Sequence, residues 1–146
     1  MAYDPKQQHR QAQQRETASA PQFAQIQLAK PLNEELFNGV ALAAAQAVSR
    51  ADSQRNKSTQ LRRFYDELVL WETRAALQPD KFAEYLPFIR MLNAKAAYAE
   101  GRKLVDSTFV GLLSHTLKEV NSAETLTTCK LFWEAFMGFY KQERQD

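Results

Sequence analysis

The chain has 146 residues, of which 45% are hydrophobic and 25% are charged, and its net charge at pH 7 is +2. This length suits one domain with its own core, and the composition argues against wholesale disorder. No apolar stretch approaches the roughly 20 residues that a membrane-spanning helix needs, and the N-terminus has no apolar signal-peptide core, so we expect a cytoplasmic protein without membrane contact.

Helix is favoured over sheet because the chain has only four Gly and five Pro and few segments of alternating polarity. We therefore predict an all-α fold, a compact single-domain bundle of about five helices. Residues 1–30 are rich in Gln and poor in large apolar side chains, a composition that cannot offset the entropy of ordering. We predict a flexible N-terminal tail over 1–30 and a helical bundle domain over 31–146.

Apolar periodicity places three helices in the first part of this domain. The first follows Asn33, a suitable N-cap, and its apolar face comprises Leu36, Phe37, Val40, Ala44, Ala47 and Val48. The second is capped by Ser58 or Thr59 and ends before Pro79, with an apolar face of Leu61, Phe64, Tyr65, Leu68, Trp71 and Ala75. The third extends from about Asp80 to Gly101, with a kink or a restart at Pro87. Its inward-facing residues are Tyr85, Phe88, Ile89, Leu92, Ala96 and Ala99.

The last two helices have the most regular apolar patterns. Asp106 caps the fourth, whose apolar positions follow helical spacing without a break at Phe109, Leu112, Leu113, Thr116, Leu117 and Val120. Ser122 caps the fifth, with an apolar face of Leu126, Cys129, Phe132, Trp133, Phe136, Met137 and Tyr140. Such a wide face predicts that the fifth helix lies at the centre of the bundle.

Residues suited to catalysis or metal binding are scarce. The two histidines are His9, in the predicted tail, and His115, which we interpret as a structural or surface residue. Cys129 lies in an apolar segment and is interpreted as a core residue, and the isolated glycines form no phosphate-binding loop. We expect a protein that is not an enzyme, with no catalytic residue, metal ligand or cofactor.

Charge is distributed in blocks along the chain. Residues 50–63 carry five basic side chains and one acidic, residues 90–103 carry four basic and one acidic, and the intervening residues 64–89 carry five acidic and two basic. Asp66 and Glu67 each follow a basic residue by four positions, Arg62 and Arg63, so we expect ordinary helix-surface ion pairs there.

Two of the basic segments combine features that favour RNA binding. Arg62 and Arg63 lie in the first turn or so of the second helix, where an anion such as phosphate would complement the helix dipole, although both could simply be solvated. A stripe on the third helix combines two cations with an aromatic ring, which suits phosphate contact and stacking, although such residues also commonly border a core. The stripe consists of Met91, Lys95, Tyr98 and Arg102.

The segments KSTQLRRFYDELVLWE (57–72) and YLPFIRMLNAKAAYAEGRK (85–103), followed by FVGLLSHTL (109–117), resemble the small-subunit family of type III-A (Csm) CRISPR effector complexes. The resemblance covers about residues 55–140. It implies a non-catalytic helical subunit for antiviral defence that contacts guide RNA and target RNA without reading sequence. It also implies assembly with the backbone and large subunits and self-association into a short filament or dimer.

The basic and polar positions that recur in this family correspond here to Lys57, Gln60, Arg62, Arg63, Arg90, Lys95 and Arg102. Together with Tyr98 from the stripe, they are the predicted RNA-binding residues. The alternative function is a helical protein-interaction adaptor with no direct nucleic-acid contact, in which the Trp and Phe residues and the basic blocks meet a protein partner.

Overall fold

The computed structural model describes residues 21–146, so residues 1–20 of the predicted tail, including His9, lie outside the described residues. The described residues contain α-helices and short helical turns and no strand, which confirms the predicted all-α bundle. We label the helices α1 (Ala41–Ala51), α2 (Ser58–Leu77), α3 (Phe82–Arg90), α4 (Leu92–Gly101), α5 (Ser107–Lys118) and α6 (Ala123–Glu143).

The segment before α1 packs against the bundle. Phe23, Ile26 and Leu28 are each no more than 3% exposed, and Nε2 of His115 donates a hydrogen bond to the Ile26 carbonyl at 2.8 Å. The folded domain therefore begins before residue 31, and the predicted boundary at residue 30 is too late. Sequence periodicity could not reveal this packing, because residues 26–30 are non-helical in the structure and few of them are buried.

A π-helical turn, Leu36–Val40, precedes α1. Oδ1 of Asn33 accepts a hydrogen bond from the Glu35 backbone N–H at 2.8 Å, and the Glu35 carboxylate accepts one from the Gly39 N–H at 3.0 Å. Asn33 therefore stabilises the turn, and the α-helix itself begins later than the sequence pattern predicted.

As predicted, helix α6 lies at the centre of the bundle. It packs most extensively against α1 and α2. Its aromatic side chains pack in the core. The ring centroid of Trp133 lies 5.8 Å from that of Phe109 and 4.8 Å from that of Phe136. Cys129 is fully buried in the same core, and this burial raises the pKa of its thiol to about 12. Its interpretation as a core residue is confirmed.

Besides Asn33, three helix caps were predicted, of which two are confirmed and one is wrong. Oδ1 of Asp106 accepts from the Phe109 N–H at 3.1 Å at the start of α5, and Ser122 forms a capping box with Thr125 at the start of α6. At α2, however, Lys57 occupies the N-cap position and no side chain caps the first turn. Ser58 is already helical and is only 7% exposed.

The loop between α1 and α2 is fixed by Asn56, which is fully buried and has a positive φ of 61°. Its side-chain amide donates to Asp106 Oδ1 at 2.8 Å and accepts from the Asp106 N–H at 2.9 Å. Its backbone carbonyl accepts a hydrogen bond from the Tyr140 hydroxyl. These contacts set the position from which α2 begins.

Helices α2, α3 and α4 form a bent hairpin. Helix α2 ends at Leu77, before Pro79, as predicted, but Met91 divides the third predicted helix into α3 and α4. Helix α3 continues through Pro87. Phe88, predicted to face inward, is 52% exposed and stacks on Trp71 at 5.4 Å, because the neighbouring Ile89 takes the buried position in this part of the helix.

Candidate nucleic-acid interface

An open groove of about 220 Å³ lies between α2 and α4. The residues that line it occur at helical spacing on each helix, so that one face of α2 meets one face of α4. Helix α2 contributes Gln60, Arg63, Phe64 and Glu67. Helix α4 contributes Lys95, Tyr98 and Ala99, and Arg102 and Leu104 follow the C-terminal end of α4.

The floor of the groove is apolar and its rim is charged. Phe64 and Ala99 are 9% and 7% exposed and belong to the core, whereas Arg63, Lys95 and Arg102 are exposed. Burial of these two side chains in the core leaves the longer side chains on either side directed towards solvent. A bound polyanion could reach three cations from one direction.

Lys95 forms an ion pair across the groove. Its Nζ lies 2.5 Å from Oε1 of Glu67, and the two side chains are 45% and 33% exposed. Among the described residues, no carboxylate lies within 4.0 Å of the Arg63 or Arg102 guanidinium. The groove therefore presents two cations without a close counter-ion in the described chain and a third that already has one.

Tyr98 is the aromatic residue of the rim, and 68% of it is exposed. The Arg102 guanidinium lies 5.8 Å from the centroid of its ring, within the range of a cation–π contact. A ring held beside a cation in this way leaves a face available for stacking on a base or a ribose.

The expected helix-surface ion pairs of α2 form in one case only. Arg62 Nε lies 2.9 Å from Asp66 Oδ1, and this hydrogen bond raises the pKa of the Arg62 guanidinium. Glu67 pairs with Lys95 of α4 instead of with Arg63. The sequence pattern therefore did not predict that Glu67 lines the groove. No sequence signal could have found it, since the partner lies 28 residues away on another helix.

Five of the eight predicted RNA-binding residues line the groove, namely Gln60, Arg63, Lys95, Tyr98 and Arg102. The other three lie outside the groove lining. Lys57 is exposed at the start of α2, Arg62 pairs with Asp66, and Arg90 donates from Nη2 to the Val120 carbonyl at 3.3 Å. The contact of all eight residues with RNA stays a prediction.

The described residues offer little else for chemistry. Within residues 21–146, no three His, Cys, Asp or Glu side chains come close enough together to hold a metal ion. In the same range, none of the helices combines the length and apolar character required to cross a membrane.

The fold and the groove define a small all-helical protein with a cation-lined face between two adjacent helices. A protein-family model described as Csm2 Type III-A matches residues 33–146. The chain therefore belongs to the Csm2 family, the small subunit of the type III-A CRISPR effector complex, which confirms the resemblance found in its sequence. Neither the curated proteins nor the solved structures compared with the chain gave a match.

Proposed function

We propose that the groove between α2 and α4 contacts the phosphate backbone of guide RNA and target RNA without reading sequence. In this role the protein is a non-catalytic scaffold of the effector complex in antiviral defence. The observation that carries the proposal is the convergence of Arg63, Lys95 and Arg102 on one open groove, with Glu67 as the single opposing charge among its lining residues in the described chain.

Cations arranged in this way favour backbone contact over base readout. Arg63 and Arg102 have long side chains and no carboxylate within 4.0 Å in the described part of the chain, so phosphate can approach them without displacing a protein partner. Contacts of this kind position an RNA but carry no sequence information. Affinity that depends on them should fall steeply with salt, because each phosphate contact releases a counter-ion.

Tyr98 adds a contact that phosphate-binding cations cannot supply. Its exposed ring lies between the cations of the groove rim, since Lys95 and Arg102 are three residues before it and four after it. Stacking on a base or ribose tolerates any sequence, because every base has a π-face. The ring therefore strengthens RNA binding without introducing base specificity.

The partners follow from membership of the family. As a component of a Csm effector complex, the protein would assemble in the cytoplasm with the backbone and large subunits, and with further copies of itself in a short filament or dimer. Cleavage of nucleic acid would then belong to other subunits of the complex.

The test measures binding of a random-sequence single-stranded RNA to the full chain as a function of salt. Arg63→Ala and Arg102→Ala should each weaken binding about fivefold and flatten the salt slope by about 0.7 unit, as expected for losing one phosphate contact. Arg74→Ala is the matched control, because Arg74 is an exposed arginine of α2 that does not line the groove and is not among the predicted RNA-binding residues. Equal effects of all three variants would contradict the assignment of the groove.

A second candidate, a protein-interaction adaptor without nucleic-acid contact, is favoured by a separate observation. Leu77, Phe88 and Met91 are 79%, 52% and 47% exposed, and large exposed apolar side chains can contact a protein partner where they form a continuous surface. Absence of RNA binding, both by the full chain alone and by this subunit in the reconstituted complex, would favour this candidate.

A further inference from the structure

The ion pair between Glu67 and Lys95 changes what the groove offers to a phosphate. Among the described residues that line the groove, Glu67 supplies the one carboxylate, and its Oε1 lies 2.5 Å from the Lys95 Nζ. A phosphate that approaches Lys95 therefore also meets a negative charge a few ångströms away. Repulsion at such distances offsets much of the attraction between the phosphate and the ammonium group.

We propose that Glu67 limits the affinity of this groove for RNA by neutralising Lys95. The inference rests on the proposed function. Arg63 and Arg102 then supply most of the attraction in one subunit, and firm binding requires several grooves acting along the same RNA, where each further contact is effectively intramolecular. A single copy of the protein would hold RNA only weakly.

A purely structural ion pair would have the opposite effect on binding. If Glu67 served to orient Lys95 towards a phosphate and to fix α2 against α4, removing either partner would weaken RNA binding. The two roles are therefore separated by whether RNA binding becomes tighter or weaker when Glu67 is replaced, since both roles predict weaker binding when Lys95 is replaced.

Three variants of the full chain test the proposal with a random-sequence single-stranded RNA. Glu67→Gln leaves Lys95 without its counter-ion and should tighten binding about threefold to tenfold, with a steeper salt slope. Lys95→Met leaves Glu67 alone and should weaken binding by a similar factor. The double variant has the same net groove charge as the wild type and should bind within about twofold of it.

Glu84→Gln is the matched control, because it removes the same charge from an exposed glutamate that lies outside the groove lining and pairs with no described cation. It should change affinity less than about twofold. The proposal is overturned if Glu67→Gln binds RNA no more tightly than the wild type, or if Glu84→Gln gives the same gain. Circular dichroism and thermal melting confirm that each variant is folded.

The failure of this inference is distinguishable from the failure of the proposed function. If Arg63→Ala and Arg102→Ala weaken RNA binding while Glu67→Gln does not strengthen it, the groove binds RNA and only the role of Glu67 is wrong. If the arginine variants bind like the wild type, the groove is not an RNA site and both proposals are wrong.

Discussion

The packing of residues 22–30 on the bundle gives a direct prediction about stability. Ile26 and Leu28 are 2% and 1% exposed, so each →Ala substitution removes buried apolar atoms and leaves a cavity. Substitutions of this kind cost about 2–5 kcal/mol, and a segment outside the helices can relax around the cavity, so we expect about 2–3 kcal/mol for each. For a domain of this size the melting temperature should fall by about 10 °C.

The assay is thermal unfolding of the full chain followed by circular dichroism, with urea unfolding to obtain the free energy. Leu77→Ala is the matched control, because Leu77 is 79% exposed and its loss should change the free energy of unfolding by less than about 0.5 kcal/mol. If Ile26→Ala and Leu28→Ala melt like this control, residues 22–30 do not pack on the bundle in solution.

Three further predictions concern backbone strain and titration. Lys103 has a φ of 62° just after α4, so Lys103→Gly should raise the free energy of unfolding by up to about 1 kcal/mol in urea titrations. Asn56→Ala, which removes buried hydrogen bonds and keeps a strained φ of 61°, should lower it by about 2–4 kcal/mol in the same assay. Burial raises the pKa of both Cys129 and Tyr140 to about 12. Between about pH 9 and 12 the folded state therefore keeps protons that the unfolded chain loses, so the free energy of unfolding should fall as pH rises through this range. The fall should be less steep in Cys129→Ala, and thermal melting at several pH values measures it.

Sequence periodicity predicted the helices whose apolar faces are regular. The faces of α5 and α6 are buried as expected except for the half-buried Met137, and their caps at Asp106 and Ser122 form, because these patterns depend on residues close together in the chain. Interactions between distant residues were harder to predict. The Ile26 carbonyl accepts a hydrogen bond from His115, 89 residues away, and the loop before α2 is fixed by Asn56 rather than by a cap from Ser58.

Some residues of the candidate site could likewise be predicted from the sequence, and others could not. The stripe on α4 was predicted, and Lys95, Tyr98 and Arg102 are exposed together in the structure. Arg63 lines the same groove, whereas Arg90 donates to the Val120 carbonyl. Both placements depend on the tertiary arrangement of the helices, which the sequence pattern does not give. Helical spacing suggested a partner for Glu67 on its own helix, and the tertiary structure supplied a different one.

The central claim is that the groove between α2 and α4 contacts RNA in the assembled complex. The most direct measurement is photo-crosslinking of target RNA containing 4-thiouridine in the reconstituted complex, with the crosslinked peptides identified by mass spectrometry. We expect crosslinks in peptides from Ser58–Leu77 and Leu92–Gly101, which contain Arg63 and Tyr98, and fewer of them in Arg63→Ala and Arg102→Ala. Crosslinks confined to Ala123–Glu143, or none to this subunit, would contradict the claim.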